Sequence, residues 1–141
     1  MPRVTSTGKP PVRRDRRRVR RGSVSLSIHV LIEYGIGVLT IVAPFVFSFD
    51  ATAAEILAVL VGLGILILAV VTDAPTGIAR SLPVASHVVL DYVLGLFLIV
   101  APFVLGFSND DTTATAYFIV LGVGYVLLAV LTRYRGPKPA A

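Results

Sequence analysis

Residues 29–49 read HVLIEYGIGVLTIVAPFVFSF, and residues 87–107 read HVVLDYVLGLFLIVAPFVLGF. Eleven of the 21 aligned positions are identical, among them His29 with His87, Tyr34 with Tyr92, Gly37 with Gly95, and Ala43-Pro44-Phe45 with Ala101-Pro102-Phe103. The chain is an internal duplication. A second block extends the match: Gly62, Gly64, Leu68, Ala69, Val70 and Thr72 correspond to Gly122, Gly124, Leu128, Ala129, Val130 and Thr132, with two residues inserted between the blocks in the later copy. Each copy therefore consists of two apolar stretches joined by a short turn.

Composition says what kind of solvent those stretches meet. Apolar residues make up 55% of the 141-residue chain and charged residues only 15%, against about 25% charged in an average soluble domain. Four windows of roughly 20 apolar residues, near 27–48, 53–72, 86–107 and 113–132, are long enough to cross a bilayer core of about 30 Å at about 1.5 Å per residue. Lipid offers the backbone no hydrogen-bond partners and four segments cannot close a barrel, so the spans are helices. The expected fold is all-α: four transmembrane helices arranged as two tandem helical hairpins in the same orientation. A pseudo-twofold axis along the membrane normal would relate them. The divisions are a disordered basic tail over 1–24, hairpin one over 25–72, a loop over 73–85, hairpin two over 86–132 and a C-terminal tail over 133–141. Thr52 followed by Glu55 predicts a capping box at the second span, and Ser86 is placed to cap the third.

Charge sets direction. All thirteen Lys and Arg lie in the N-terminal tail, the central loop or the C-terminal tail, nine of them in the first 21 residues. The hairpin tips carry only Asp50, Glu55, Asp110 and Asp111. By the positive-inside rule both termini are cytoplasmic, with a plasma membrane as the expected location. The basic start ahead of an apolar run imitates a signal peptide, but the run is too long and recurs deep in the chain, so no cleavage is expected. The segment Arg13, Arg14, Arg16, Arg17, Arg18, Arg20 and Arg21 is expected to anchor topology and hold anionic lipid. No aromatic residue interleaves these arginines, so nucleic acid is not an expected partner.

A first helix with Gly37, Ala43-Pro44-Phe45 and Phe49, repeated as Gly95, Ala101-Pro102-Phe103, Gly106 and Phe107 and followed by a glycine-containing second helix, resembles the SPW repeat of bacterial integral membrane proteins. Ala stands for the signature Ser and Phe for the signature Trp. The resemblance spans both copies and implies a membrane fold, with no biochemical activity attached.

Three features could carry more than architecture. Pro44 and Pro102 each remove a helical hydrogen bond, and are read first as kinks or early helix ends, alternatively as hinges or as sites of freed, ion-coordinating carbonyls; Thr40 could satisfy a carbonyl locally. Ala54, Ala58 and Gly62 form a small-residue stripe for close helix packing, with dimerisation as the alternative. Finally, His29 with Glu33 and His87 with Asp91 place an imidazole and a carboxylate on one helical face, one turn apart. An ionised group inside a span is costly and faces protein or water, so if the first helices of both copies are neighbours the two pairs converge. Three readings stay open: each His bonded to its own carboxylate or lying in the headgroup region with the acid snorkelling or neutral, a proton or ion relay, or a divalent metal site. No resident metal or cofactor is expected. Without a Gly-rich phosphate loop, an HExxH motif, a Cys nucleophile or a serine triad, the chain is not expected to be an enzyme. A non-catalytic structural or accessory protein, self-associating or bound to a membrane partner, is the leading expectation. A small transporter or proton-conducting protein using His29, Glu33, His87 and Asp91 is the alternative.

Overall fold

The computed structural model describes residues 22–134; the arginines from Arg13 to Arg21 lie outside that range. Four helices dominate: α1 (Leu26–Phe47), α2 (Thr52–Val71), α3 (Val84–Val104) and α4 (Thr112–Leu131). Each is long and apolar enough to cross a membrane. Two short strands, β1 (Val24–Ser25) and β2 (Thr132–Arg133), flank them. α1 packs along α2 and α3 along α4, so each repeat is one antiparallel hairpin.

Glycine sets the distance within each hairpin. A Cβ placed on Gly62 would lie 2.7 Å from the carbonyl oxygen of Gly37, and one on Gly122 would lie 2.6 Å from that of Gly95. Both hairpins thus use the same crossing, where backbone meets backbone and only hydrogen fits. Around it the interior is small and apolar, with Ala43, Ala54, Ala58 and Ala101 fully buried. Outward faces carry Leu31, Leu60, Phe103 and Val120, each at least 60% exposed. An apolar exterior around an alanine-rich interior is what a lipid solvent selects.

The two hairpins are joined at both ends. At one end Val24 pairs in parallel with Thr132, and Leu82 pairs in parallel with Thr72. The end of each hairpin thereby meets the start of the other, as a twofold relation requires. Val24, expected as the last residue of the tail, is thus paired with Thr132, and Ser25, the expected first residue of hairpin one, with Arg133. At the hairpin tips Asp111, only 2% exposed, makes a polar join. Its Oδ1 accepts the Ala114 N–H at 2.8 Å, which caps α4. Its Oδ2 accepts the N–H groups of Asp50 at 2.7 Å and Ala51 at 3.0 Å, at the tip of the other hairpin.

This link explains a departure from the sequence reading. α2 has Ala51 as its N-cap with no side-chain cap, and Thr52 is already helical, so the Thr52 and Glu55 capping box does not form. Asp111 takes the tip N–H groups from across the bundle instead. Nor does Ser86 cap α3: the helix starts two residues earlier, behind Pro83, whose carbonyl accepts the N–H groups of Ser86 and His87. Pro83 has φ −58°, already close to the helical value, so the helix can begin at once. α3 also ends at Val104, short of the expected 107.

Pro44 and Pro102 lie in the last turn of their helices. The Pro44 carbonyl accepts the N–H groups of Ser48 and Phe49, and the Pro102 carbonyl those of Phe107 and Ser108. The aligned residues Ser48 and Gly106 both turn into the left-handed region, at φ 51° and 78°. The Ala-Pro-Phe triplets therefore end helices. Thr40 donates to the Ile36 carbonyl at 2.7 Å and accepts the Tyr117 hydroxyl at 3.0 Å, a further link between hairpins.

Burial pushes the Asp111 carboxyl up, but N–H donation from Ala114, Ala51, Asp50 and Thr113 outweighs it and holds the group below 3.8. A depressed folded-state pKa contributes stability above the unfolded value and loses it as pH falls through the folded one. Asp111→Ala is expected to cost about 2 kcal/mol near neutral pH, from one lost cap and two lost charge-assisted bonds. Melting curves of both proteins should converge as pH drops below about 4. A gap that persists at acid pH would assign the loss to something other than the charge.

Candidate functional site

Residue 29 lies in the first turn of α1 and residue 33 one turn further in, and 87 and 91 occupy the matching positions of α3. His29, Glu33, His87 and Asp91 are all fully buried. The fold brings the four together: one ligand atom from each lies within 4.8 Å of all the others. The two Nε2 atoms face each other at 3.4 Å. His29 Nε2 stands 3.6 Å from Glu33 Oε1 and 3.3 Å from Asp91 Oδ2. His87 Nε2 stands 3.5 Å from Glu33 Oε2 and 3.4 Å from Asp91 Oδ2. Each imidazole thus contacts both carboxylates, so the reading in which every His serves only its own acid is replaced by one shared cluster.

Behind each ring is a threonine. His29 Nδ1 lies 2.7 Å from Thr132 Oγ1, and His87 Nδ1 lies 2.8 Å from Thr72 Oγ1. Each hydroxyl also donates to a carbonyl one turn earlier, Thr132 to Leu128 at 2.6 Å and Thr72 to Leu68 at 2.5 Å. A hydroxyl has a single hydrogen, already committed to that carbonyl. It can only accept from the imidazole, so Nδ1 carries the hydrogen in both rings. With the hydrogen on Nδ1, each ring in its neutral form would point an Nε2 lone pair at the centre of the cluster.

Tyrosines support the carboxylates. Tyr125, fully buried on α4, donates to Glu33 Oε1 at 2.6 Å. Tyr134, beyond β2, donates to Asp91 Oδ2 at 3.2 Å. The other oxygens, Glu33 Oε2 and Asp91 Oδ1, are buried with no hydrogen-bond partner. Among the described residues, the close charge contacts of these carboxylates are with the two histidines and none is with Lys or Arg.

A cleft of about 470 Å³ opens at the same end of the bundle, lined by residues including Ser25, Asp73, Val84 and Arg133. Asp73 follows Thr72, Arg133 follows Thr132, and Val84 lies one turn before His87. Toward the tips the bundle is closed by Leu98, Phe118, Phe49 and Phe107, none more than 6% exposed.

The sequence singled out the four central residues; the threonines, Tyr125 and Tyr134 went unassigned. Thr72 and Thr132 were visible as identical repeat positions. Tyr125 aligns with Ile65 and Tyr134 lies beyond the matched block, so the repeat held no signal for either. Tyr34 lies outside the cluster and reaches the Thr76 carbonyl at 3.4 Å, while Tyr92 is 36% exposed.

A model of the SPW repeat domain matches residues 27–132. The chain belongs to the SPW repeat family. The match covers both hairpins and every member of the cluster except Tyr134. With four span-length apolar helices, this SPW repeat protein is a multi-pass membrane protein. No curated protein and no solved structure matches the chain.

Proposed function

We propose that this is a non-catalytic protein of the bacterial plasma membrane that takes up one cation from its cytoplasmic end and uses it to clamp its two hairpins together. The observation that carries the proposal is the convergence of two carboxylates and two inward lone pairs in a site with no exposure to solvent. Two buried negative charges without a cation would cost several kcal/mol each; a bound cation turns that penalty into cross-hairpin attraction. One imidazole and one carboxylate come from each hairpin, so the ion would tie the two repeats rather than brace one of them.

The packed aromatic and aliphatic residues beyond the site favour a clamp over a conduit. Reconstituted into liposomes, the protein is expected to carry no proton or divalent-ion flux above that of empty vesicles. Flux that disappears in Glu33→Gln with Asp91→Asn would replace the clamp with a transporter.

Orientation rests on the charge distribution: Arg80 and Arg133 lie at the cleft end of the described residues, and Asp110 and Asp111 at the tips. The absence of cysteine makes a clean test available. A cysteine placed at Ile78, which is 77% exposed, should resist an impermeant maleimide in intact cells. A cysteine at Asp110, also exposed, should label; the opposite pattern would invert the topology. The basic N-terminal segment would then lie against anionic lipid at the inner face.

A further inference from the structure

The cluster separates two kinds of contact. Its outer contacts are hydrogen bonds of 2.7 and 2.8 Å from threonine to imidazole, 2.6 Å from Tyr125 to Glu33 and 3.2 Å from Tyr134 to Asp91. Its inner contacts are all longer, at 3.3, 3.4, 3.4, 3.5 and 3.6 Å. A proton shared between imidazole and carboxylate draws the heavy atoms to about 2.7–2.9 Å. A metal ion does the opposite and holds its ligands apart. Four N and O ligands at about 2.0–2.1 Å in a tetrahedron stand about 3.3–3.4 Å from one another. With one oxygen from each carboxylate, four of the six pairings lie within a few tenths of an ångström of that separation, Glu33 facing His29 through Oε1 and His87 through Oε2, and the whole four-atom set spans no more than 4.8 Å.

We infer that the cation is a divalent transition-metal ion of the zinc class, held by His29 Nε2, His87 Nε2 and one oxygen each of Glu33 and Asp91. This rests on the cation clamp proposed above and names its occupant. Three independent features agree. The thermodynamically costly orphan oxygens, Glu33 Oε2 and Asp91 Oδ1, are carboxylate lone pairs that lack a partner in a fully buried site. Both rings are fixed in the tautomer that offers Nε2, by Thr132 and Thr72, in the manner of the outer partners that orient metal-bound histidines. Tyr125 and Tyr134 donate to Glu33 Oε1 and Asp91 Oδ2, oxygens that also face the imidazoles, and so fix the orientation of the acidic side chains. Two carboxylates and two neutral imidazoles also balance a charge of +2, leaving the buried site neutral. Mixed imidazole and carboxylate donors suit zinc, and suit manganese or iron more than the hard ions magnesium and calcium.

The test uses the full chain in mild detergent, stripped with chelator and dialysed against Zn²⁺, then against Co²⁺ as a spectroscopic probe. One tightly held ion per chain is expected, and the Co²⁺ form should show the intense visible absorption of a tetrahedral centre. His29→Ala with His87→Ala should hold no ion while keeping the helical circular dichroism of the parent. Thr72→Val with Thr132→Val keeps all four ligands and should weaken binding about 10–100-fold, with a changed Co²⁺ spectrum. Folded parent protein that retains no ion, or that gives the weak spectrum of octahedral Co²⁺, overturns the inference. If such protein still depends on Glu33 and Asp91 for hairpin stability, the clamp is held by protons and only the metal assignment fails; if it does not, the clamp fails with it.

Discussion

Protein stripped of divalent ions and then given Zn²⁺ at about a thousand times its dissociation constant is expected to gain about 4 kcal/mol of stability. The gain reads as a rise in Tm in mild detergent, and it should vanish in Glu33→Gln with Asp91→Asn. The double variant is the informative one, because removing a single carboxylate leaves the other buried and uncompensated. Without metal the order should reverse. Neutral amides of the same shape relieve the repulsion between two buried carboxylates, so the stripped variant should melt above the stripped parent. Crossing curves follow from a site that is costly empty and favourable filled. An equal gain in both proteins would place ion binding elsewhere.

The second large effect concerns the crossing within each hairpin. Gly62→Ala and Gly122→Ala are each expected to destabilise by about 1–3 kcal/mol. Their new methyl groups would meet carbonyl oxygens at 2.7 and 2.6 Å and backbone nitrogens at 2.9 and 3.0 Å. Backbone cannot swing aside as a side chain does, so the helices must part. Gly64 and Gly124, two residues further along the same helices, have nothing within 4 Å. Alanine there should be neutral, or stabilising by up to about 1 kcal/mol through helix propensity. Thermal unfolding of the four variants decides the matter; equal losses at Gly62 and Gly64 would contradict the backbone contact. A parted hairpin should also bind its cation more weakly, since Thr72 and Thr132 follow directly on α2 and α4.

Much of this architecture is legible in the amino-acid sequence. Span lengths and the repeat required four helices in two like hairpins, because a polar backbone in lipid has few alternatives. The i, i+4 spacing of His29 with Glu33 and of His87 with Asp91 defined one face on each helix. Whether the faces met depended on hairpin packing, which the spacing does not contain. Thr72 and Thr132 were repeated letters whose role appears only when β1 and β2 and the Thr72 and Leu82 pairing draw the hairpin ends together. Tyr125 and Tyr134 break the symmetry, so the repeat could not point to them. The misplaced caps have the same origin. Local rules favoured Thr52 and Ser86, whereas Asp111 from the other hairpin and Pro83 from the loop met those needs instead.

The central claim is that the duplication builds one cation site from two equivalent half-sites. An anomalous-difference map from crystals of the zinc-loaded full chain, recorded at the zinc edge, tests it most directly. A single peak is expected about 2.0–2.2 Å from the Nε2 atoms of His29 and His87 and from one oxygen each of Glu33 and Asp91. A map with no peak among these atoms, or with the two His and carboxylate pairs facing different surroundings, would contradict it.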